Sequence, residues 1–181
     1  MKNKYGIFGI IMTVFGSLFS CSSIPKGAVA VQNFKKEQYL GLWYEIARLD
    51  FKYERNLNNT TAYYSPIEEN DMIQVVNRGY NVVTKEWKEA VGKAKFVKAD
   101  TVAMLKVSFF GPFYSGYNVL AIDDDYQYAL VTGKSLDYLW ILSRTPSLPD
   151  SVKQEYLSIA QKIGFKTKDL IWVEHDKKQS N

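Results

Sequence analysis

Apolar and polar residues alternate in short runs along most of the chain, and a period of two marks strands with one dry and one wet face. Such runs lie near residues 42–50, 60–67, 72–79, 87–98, 102–109, 117–123, 127–133 and 138–144. Turn-forming pieces such as Glu69-Asn70-Asp71 and Gly111-Pro112 separate them. Eight strands at this spacing predict an all-β, antiparallel up-and-down barrel. One stretch switches to helical spacing, with Val152, Tyr156, Ile159, Ala160 and Ile163 on a single face. Ser147 and Asp150 are placed as a capping box, Pro149 falls in the first turn and Gly164 at the end, so one C-terminal helix should pack outside the barrel wall. Leu170 to Val173 then reads as a short closing strand, and no internal repeat is visible.

Alternation also names the residues that face inward. Trp43, Glu45, Ala47 and Leu49 share one side of their strand, as do Leu105, Val107 and Phe109, then Tyr117, Val119 and Ala121, then Trp140, Leu142 and Arg144. Ala62, Tyr64, Val75, Asn77, Ala94 and Phe96 complete the set. Small residues at Ala62, Ala94 and Ala121 point to unfilled volume. The expected ligand-binding residues are therefore Ala62, Tyr64, Val75, Asn77, Phe96, Leu105, Val107, Phe109, Tyr117, Val119, Ala121, Trp140 and Leu142. Among them Tyr64, Tyr117 and Trp140 offer flat apolar area with a polar tip. The competing expectation is a barrel filled by its own side chains.

Composition narrows this picture. The 181 residues are 46% hydrophobic and 15% aromatic, enough for one core and no second domain. Lys2 and Lys4 precede an apolar run from Ile7 to Phe19, which has the length of a secretory signal and is too short to span a bilayer comfortably. Leu18-Phe19-Ser20-Cys21 resembles a bacterial lipobox, which implies cleavage after residue 20 and acylation of Cys21. That cysteine is the only one, so no intramolecular disulfide exists. The expected organisation is a signal peptide over 1–20, a lipidated N-terminus and tether over 21–35, the barrel domain over 36–174 and a polar tail over 175–181. Without Lys2 and Lys4 the 23 basic residues become 21 against 19 acidic ones, a balance too even for nucleic-acid binding. The single histidine, His175, stands in the tail, so no Ser-His-Asp or Cys-His unit can be assembled, and the chain is not expected to be an enzyme. Neither metal-ligand spacing nor a cofactor motif occurs; Asp123-Asp124-Asp125 reads as an acidic turn rather than a cation site.

Four segments carry a family resemblance. Gly41-Leu42-Trp43-Tyr44-Glu45-Ile46-Ala47-Arg48, Lys106 to Tyr114, Gly116 to Ala121 and Asp137 to Arg144 resemble the bacterial outer-membrane lipoprotein lipocalins, which are similar to apolipoprotein D and plant temperature-induced lipocalins. The resemblance covers roughly residues 36–174. The family's Thr-Asp-Tyr motif is altered here to Asp123-Asp124-Asp125-Tyr126. The resemblance implies that Gly41, Trp43 and Arg144 close one end of the barrel, the guanidinium lying across the indole. Glu45 stands either as a charge partner of Arg144 or in solvent near the barrel base. The implied function is a membrane-anchored protein that holds a fatty acid, lysophospholipid or similar amphiphile for storage, transport or repair of envelope lipids. Ser22 after the cysteine implies the outer membrane, and the expected side is the periplasmic face. The alternative is an anchored scaffold whose barrel is largely filled.

Overall fold

The structure is a computed structural model, which describes residues 23–68 and 70–177. The expected signal peptide and Cys21 lie outside these residues. A short helix, α1 (Lys36–Tyr39), precedes strands β1 (Gly41–Arg48), β2 (Leu57–Ile67), β3 (Met72–Asn81), β4 (Glu86–Phe96), β5 (Met104–Phe110), β6 (Phe113–Ile122), β7 (Tyr128–Thr132) and β8 (Leu139–Ser143). Helix α2 (Asp150–Ile163), a 3-10 turn (Thr167–Asp169) and β9 (Ile171–Trp172) follow. Each strand from β1 to β7 pairs antiparallel with its successor, β1 also pairs with β8, so the sheet closes into a barrel, and β9 adds to β1. The β1–β2, β3–β4, β5–β6 and β7–β8 loops share one end; the other three turns and α1 share the opposite end.

Two cores result. Trp43, Tyr64, Val75, Leu105, Val119 and Leu142 belong to the interior cluster, while Ile46, Leu130, Ile141 and Leu170 join the α2 residues Tyr156 and Ala160 outside the wall. Val152, Ile159 and Ile163 pack on that outer cluster, as their spacing predicts. Gly164 ends α2 at φ +109°, its N–H bonding to the Ala160 and Gln161 carbonyls. The predicted capping box does not form. The helix starts at Asp150 with Pro149 in the capping position, which has no side-chain hydrogen bond, and the Ser147 carbonyl instead accepts from Ser143 Oγ at 2.9 Å. Among the described residues no helix is long and apolar enough to cross a membrane.

Of the sheet's register shifts, those in β1 and β6 overturn the expected alternation. In β1 the pairing with β8 jumps between Glu45 and Ala47, so Ile46 is an extra residue. Ala47 and Leu49, expected inside, therefore pack in the outer cluster, and Arg48 is buried instead. In β6 the pairing jumps between Val119 and Ala121, and Leu120 is the extra residue. Ala121, expected to contact ligand, consequently packs in the outer cluster, and Ile122 against the interior one.

The expected tether is not free chain after residue 22. Pro25, Ala30 and Phe34 are buried, and the Phe34 ring stands 5.2 Å from that of Tyr39 and 6.3 Å from that of Phe96. At the other terminus the polar tail is held against the barrel: His175 Nε2 donates to the Glu45 carbonyl at 2.9 Å, and the Lys177 N–H to Asn59 Oδ1 at 2.8 Å.

Candidate functional site: a barrel cavity with a polar collar

The floor is built where β1 begins. Gly41 has φ +95°, in the region that favours glycine. Trp43 follows, fully buried, with Nε1 donating 2.8 Å to the Tyr39 carbonyl. The Arg144 guanidinium lies 3.9 Å from the indole centroid. It donates to the Leu42 and Gln38 carbonyls at 2.7 Å, to that of Leu40 at 2.9 Å and, through Nε, to that of Tyr126 at 3.2 Å. A cation held over an indole gains on the order of 1 kcal/mol; the four carbonyls add the larger effect, stapling α1 and the start of β1 to the end of β8. Above the indole, the Tyr117 hydroxyl oxygen sits 2.6 Å from that of Tyr39 and 2.8 Å from that of Tyr64. Burial raises the pKa of all three phenols, so they stay neutral.

Over this floor lies a cavity of about 790 Å³. Of the residues expected to meet a ligand, Ala62 and Tyr64 of β2, Val75 and Asn77 of β3, Leu105, Val107 and Phe109 of β5, Tyr117 of β6, and Trp140 and Leu142 of β8 line it. Phe96 and Val119 do not. Both belong to the packing at the closed end, where Phe34 meets Phe96 and the Val31 N–H donates to the Val119 carbonyl. Ala121 is excluded by the β6 bulge.

Higher on the wall is a group that alternation did not reveal. Arg48 Nη1 donates to Glu45 Oε1 at 2.7 Å, with side chains only 3% and 8% exposed. Glu45 is thus tied to Arg48, neither to Arg144 nor to solvent. Arg48 Nη2 also donates to the Glu54 and Leu57 carbonyls at 2.8 and 2.9 Å. Glu54, on the β1–β2 loop, brings a second carboxyl to the same guanidinium, its Oε2 lying 4.0 Å from Arg48 Nε and accepting from Trp140 Nε1 at 3.0 Å. Burial, then repulsion from Glu45, pushes the Glu54 pKa up to about 8, against the opposing Trp140 hydrogen bond and Arg48 charge. Burial raises Glu45 as well, with Arg48 opposing. Glu54 therefore carries its proton at neutral pH, an uncharged carboxyl beside the Arg48–Glu45 pair. The β1 bulge that turns Arg48 inward left no mark in the sequence, and a loop glutamate has no period to betray it.

Residues 34–175 match the lipocalin-like domain family. The chain is a lipocalin. It is 52% identical to the outer membrane lipoprotein Blc of Escherichia coli (strain K12) over 157 residues, covering 86% of this chain and 88% of the relative. Its identity to the Vibrio cholerae Blc is 44% over 169 residues, covering 93% and 97%. Apolipoprotein D of Rattus norvegicus is 34% identical over 149 residues, covering 78% and 76%. Among solved structures, insecticyanin of Manduca sexta shares the fold with a TM-score of 0.68 at 20% identity, covering 84% of this lipocalin and 87% of that chain.

Proposed function

We propose that this lipocalin is a lipid-anchored protein of the outer membrane that holds a fatty acid, lysophospholipid or similar amphiphile in its barrel. The observation that carries the reading is the cavity of about 790 Å³, within the range of roughly 300–1,000 Å³ typical of small-ligand sites. Its lower walls are apolar, with Ile73, Val75, Leu105, Val107 and Leu142, while charged side chains such as Glu54, Arg78, Lys88, Glu89 and Lys134 stand toward the open end. Each methylene moved from water into such a space contributes about 0.8 kcal/mol, so about ten of them outweigh much of the cost of association. The acyl chain would lie along Leu105, Val107, Tyr117 and Leu142, with the polar head near Glu54, Trp140 and the rim. A space of this size weighs against a filled barrel serving as scaffold. Binding rather than catalysis fits a wall without a histidine or a cysteine: among the described residues His175 sits on the Glu45 carbonyl, away from the cavity lining.

The lipobox-like Leu18-Phe19-Ser20-Cys21 and the outer membrane relatives support acylation of Cys21 and an outer-membrane location; the periplasmic face is the side we propose for it. Storage, transport or repair of envelope lipids would follow from a cup held beside a bilayer. Mass spectrometry of lipids extracted from protein purified without added detergent lipid tests the reading. A stoichiometric amphiphile is expected; a barrel that comes out empty and ignores fluorescent fatty acids would favour the scaffold. The intact mass of the membrane-extracted protein tests acylation separately.

A further inference from the structure

Ser23, two positions after Cys21, packs on β6 beside the first residues of the β7–β8 loop, one of the open-end loops. Asn118 Nδ2 donates to the Ser23 carbonyl at 2.8 Å and to the Gly133 carbonyl at 3.2 Å. Any Cβ at Gly116 would collide with that Ser23 carbonyl, so this glycine is what admits the segment. Gly116, Gly133 and Lys134 also line the cavity. From Ser23 the chain continues along the barrel to Val31, which bonds with Val119 and Ala103. Two residues of chain reach no further than about 7 Å. A lipid on Cys21 therefore attaches within reach of the β7–β8 loop, on the open-end side of the barrel.

The open end is also where large apolar side chains meet water. Phe110 and Phe113, at the β5–β6 tip, are 69% and 79% exposed, and Tyr53 on the β1–β2 loop is 61% exposed. The Tyr53 and Phe110 rings stand 6.2 Å apart, and Phe51 continues the row 5.2 Å beyond Tyr53. Lys52 Nζ lies 4.6 Å over the Tyr53 ring, and Lys85 and Lys134 occupy other loops of this end, among the acidic Asp50, which Arg55 pairs, Glu86 and Asp137. The closed end has the opposite character. Glu68, Asp71, Asp123, Asp124 and Asp125 lie in its turns, where Lys36 pairs with Asp71 at 2.6 Å. Aromatic side chains with lysines suit the headgroup layer of an anionic bilayer, which repels an acidic face.

We propose that the open end is a membrane-docking surface: Tyr53, Phe110 and Phe113 seat in the headgroup region of an anionic phospholipid bilayer, and the cavity opens onto lipid rather than water. The inference rests on the reading of Cys21 as the anchor. An amphiphile then passes from the bilayer into the barrel without its acyl chain crossing bulk solvent.

The test uses the acylated protein extracted from membranes and reconstituted into phosphatidylethanolamine–phosphatidylglycerol vesicles. With Cys21 acylated, Phe113→Cys and Asp124→Cys each accept a polarity-sensitive dye at one place, at the open and the closed end. A headgroup-borne quencher should quench the dye at 113 severalfold more than that at 124; equal quenching, or the reverse, overturns the docking. The double variant Phe110→Ser/Phe113→Ser, at residues that also border the cavity mouth, should lose severalfold more of its uptake of a fluorescent lysophospholipid from its own vesicle than of its uptake of the same probe presented as monomers in water, and an equal loss by both routes overturns the docking. Undiminished uptake from the vesicle also overturns it. A protein that takes up the probe by neither route sinks the amphiphile reading, and the quenching comparison then decides the docking alone.

Discussion

Glu54 faces a guanidinium already committed to Glu45, and that arrangement makes its proton a stability determinant. Its pKa is about 8 in the folded protein against 4.5 for an ordinary glutamate. Below pH 4.5 both states hold the proton and its contribution is fully present. Between pH 4.5 and 8 the unfolded chain releases a proton that the folded chain keeps, so stability falls as pH rises, by at most about 1.4 kcal/mol per unit. This is the reverse of a salt-bridged carboxylate. Urea unfolding from pH 5 to 8.5 should show that decline, and Glu54→Gln, which cannot ionise, should flatten most of it; a slope unchanged in the variant would place its source elsewhere. The two tryptophans divide structure from binding. Trp43→Ala empties the floor and releases the Arg144 guanidinium, with an expected loss of about 3 to 5 kcal/mol in unfolding experiments. Trp140→Ala should weaken fluorescent fatty-acid binding with a smaller effect on the fold, since Trp140 borders the cavity.

At the scale of elements, the ends of α2 separate residues that stabilise from residues that only look as though they do. Gly164→Ala forces a side chain into φ +109°, although the new Cβ would meet only Leu136 Cδ1, at 3.6 Å. The expected cost is on the order of 1 kcal/mol or more, read as a lower urea midpoint at unchanged slope, and it is conformational rather than steric. Ser147→Ala should shift the midpoint hardly at all, because Ser147 makes no cap. The same contrast explains what was legible beforehand. Period two located eight strands and placed Tyr64, Val107, Tyr117 and Leu142 correctly at the cavity, because one buried face selects apolar residues at every second position. It misplaced Ala47, Leu49 and Ala121, because a bulge inverts every side chain beyond it and is marked by no residue type that Ile46 or Leu120 displays. Arg48 was hidden for the same reason, and Phe96 and Val119 because alternation gives a side of the sheet, not a height along the barrel.

For the whole molecule the governing fact is a hollow at the centre of the main core. A hollow of about 790 Å³ leaves the side chains around it without packing partners on one face, so the empty barrel is less stable than a filled one would be. An amphiphile that fills it binds the folded state alone and must stabilise it by linkage: at free ligand one hundred times Kd the gain is about 2.7 kcal/mol. For a domain of this size each kcal/mol raises Tm by roughly 2 to 4 °C, so saturation should raise Tm by about 5 to 10 °C over delipidated protein. The shift should grow with acyl length while added methylenes still find room and level off once the chain outgrows the cavity. It should shrink in Tyr117→Trp, where the larger ring takes space above the floor. Because Glu54 becomes negative as it loses its proton, the shift produced by an anionic fatty acid should also fall as pH rises through 8, and Glu54→Gln should abolish that fall. Calorimetry on one delipidated preparation, with and without ligand at pH 7 and 9, measures each of these, and a Tm indifferent to chain length would mean that the ligand binds somewhere other than the hollow.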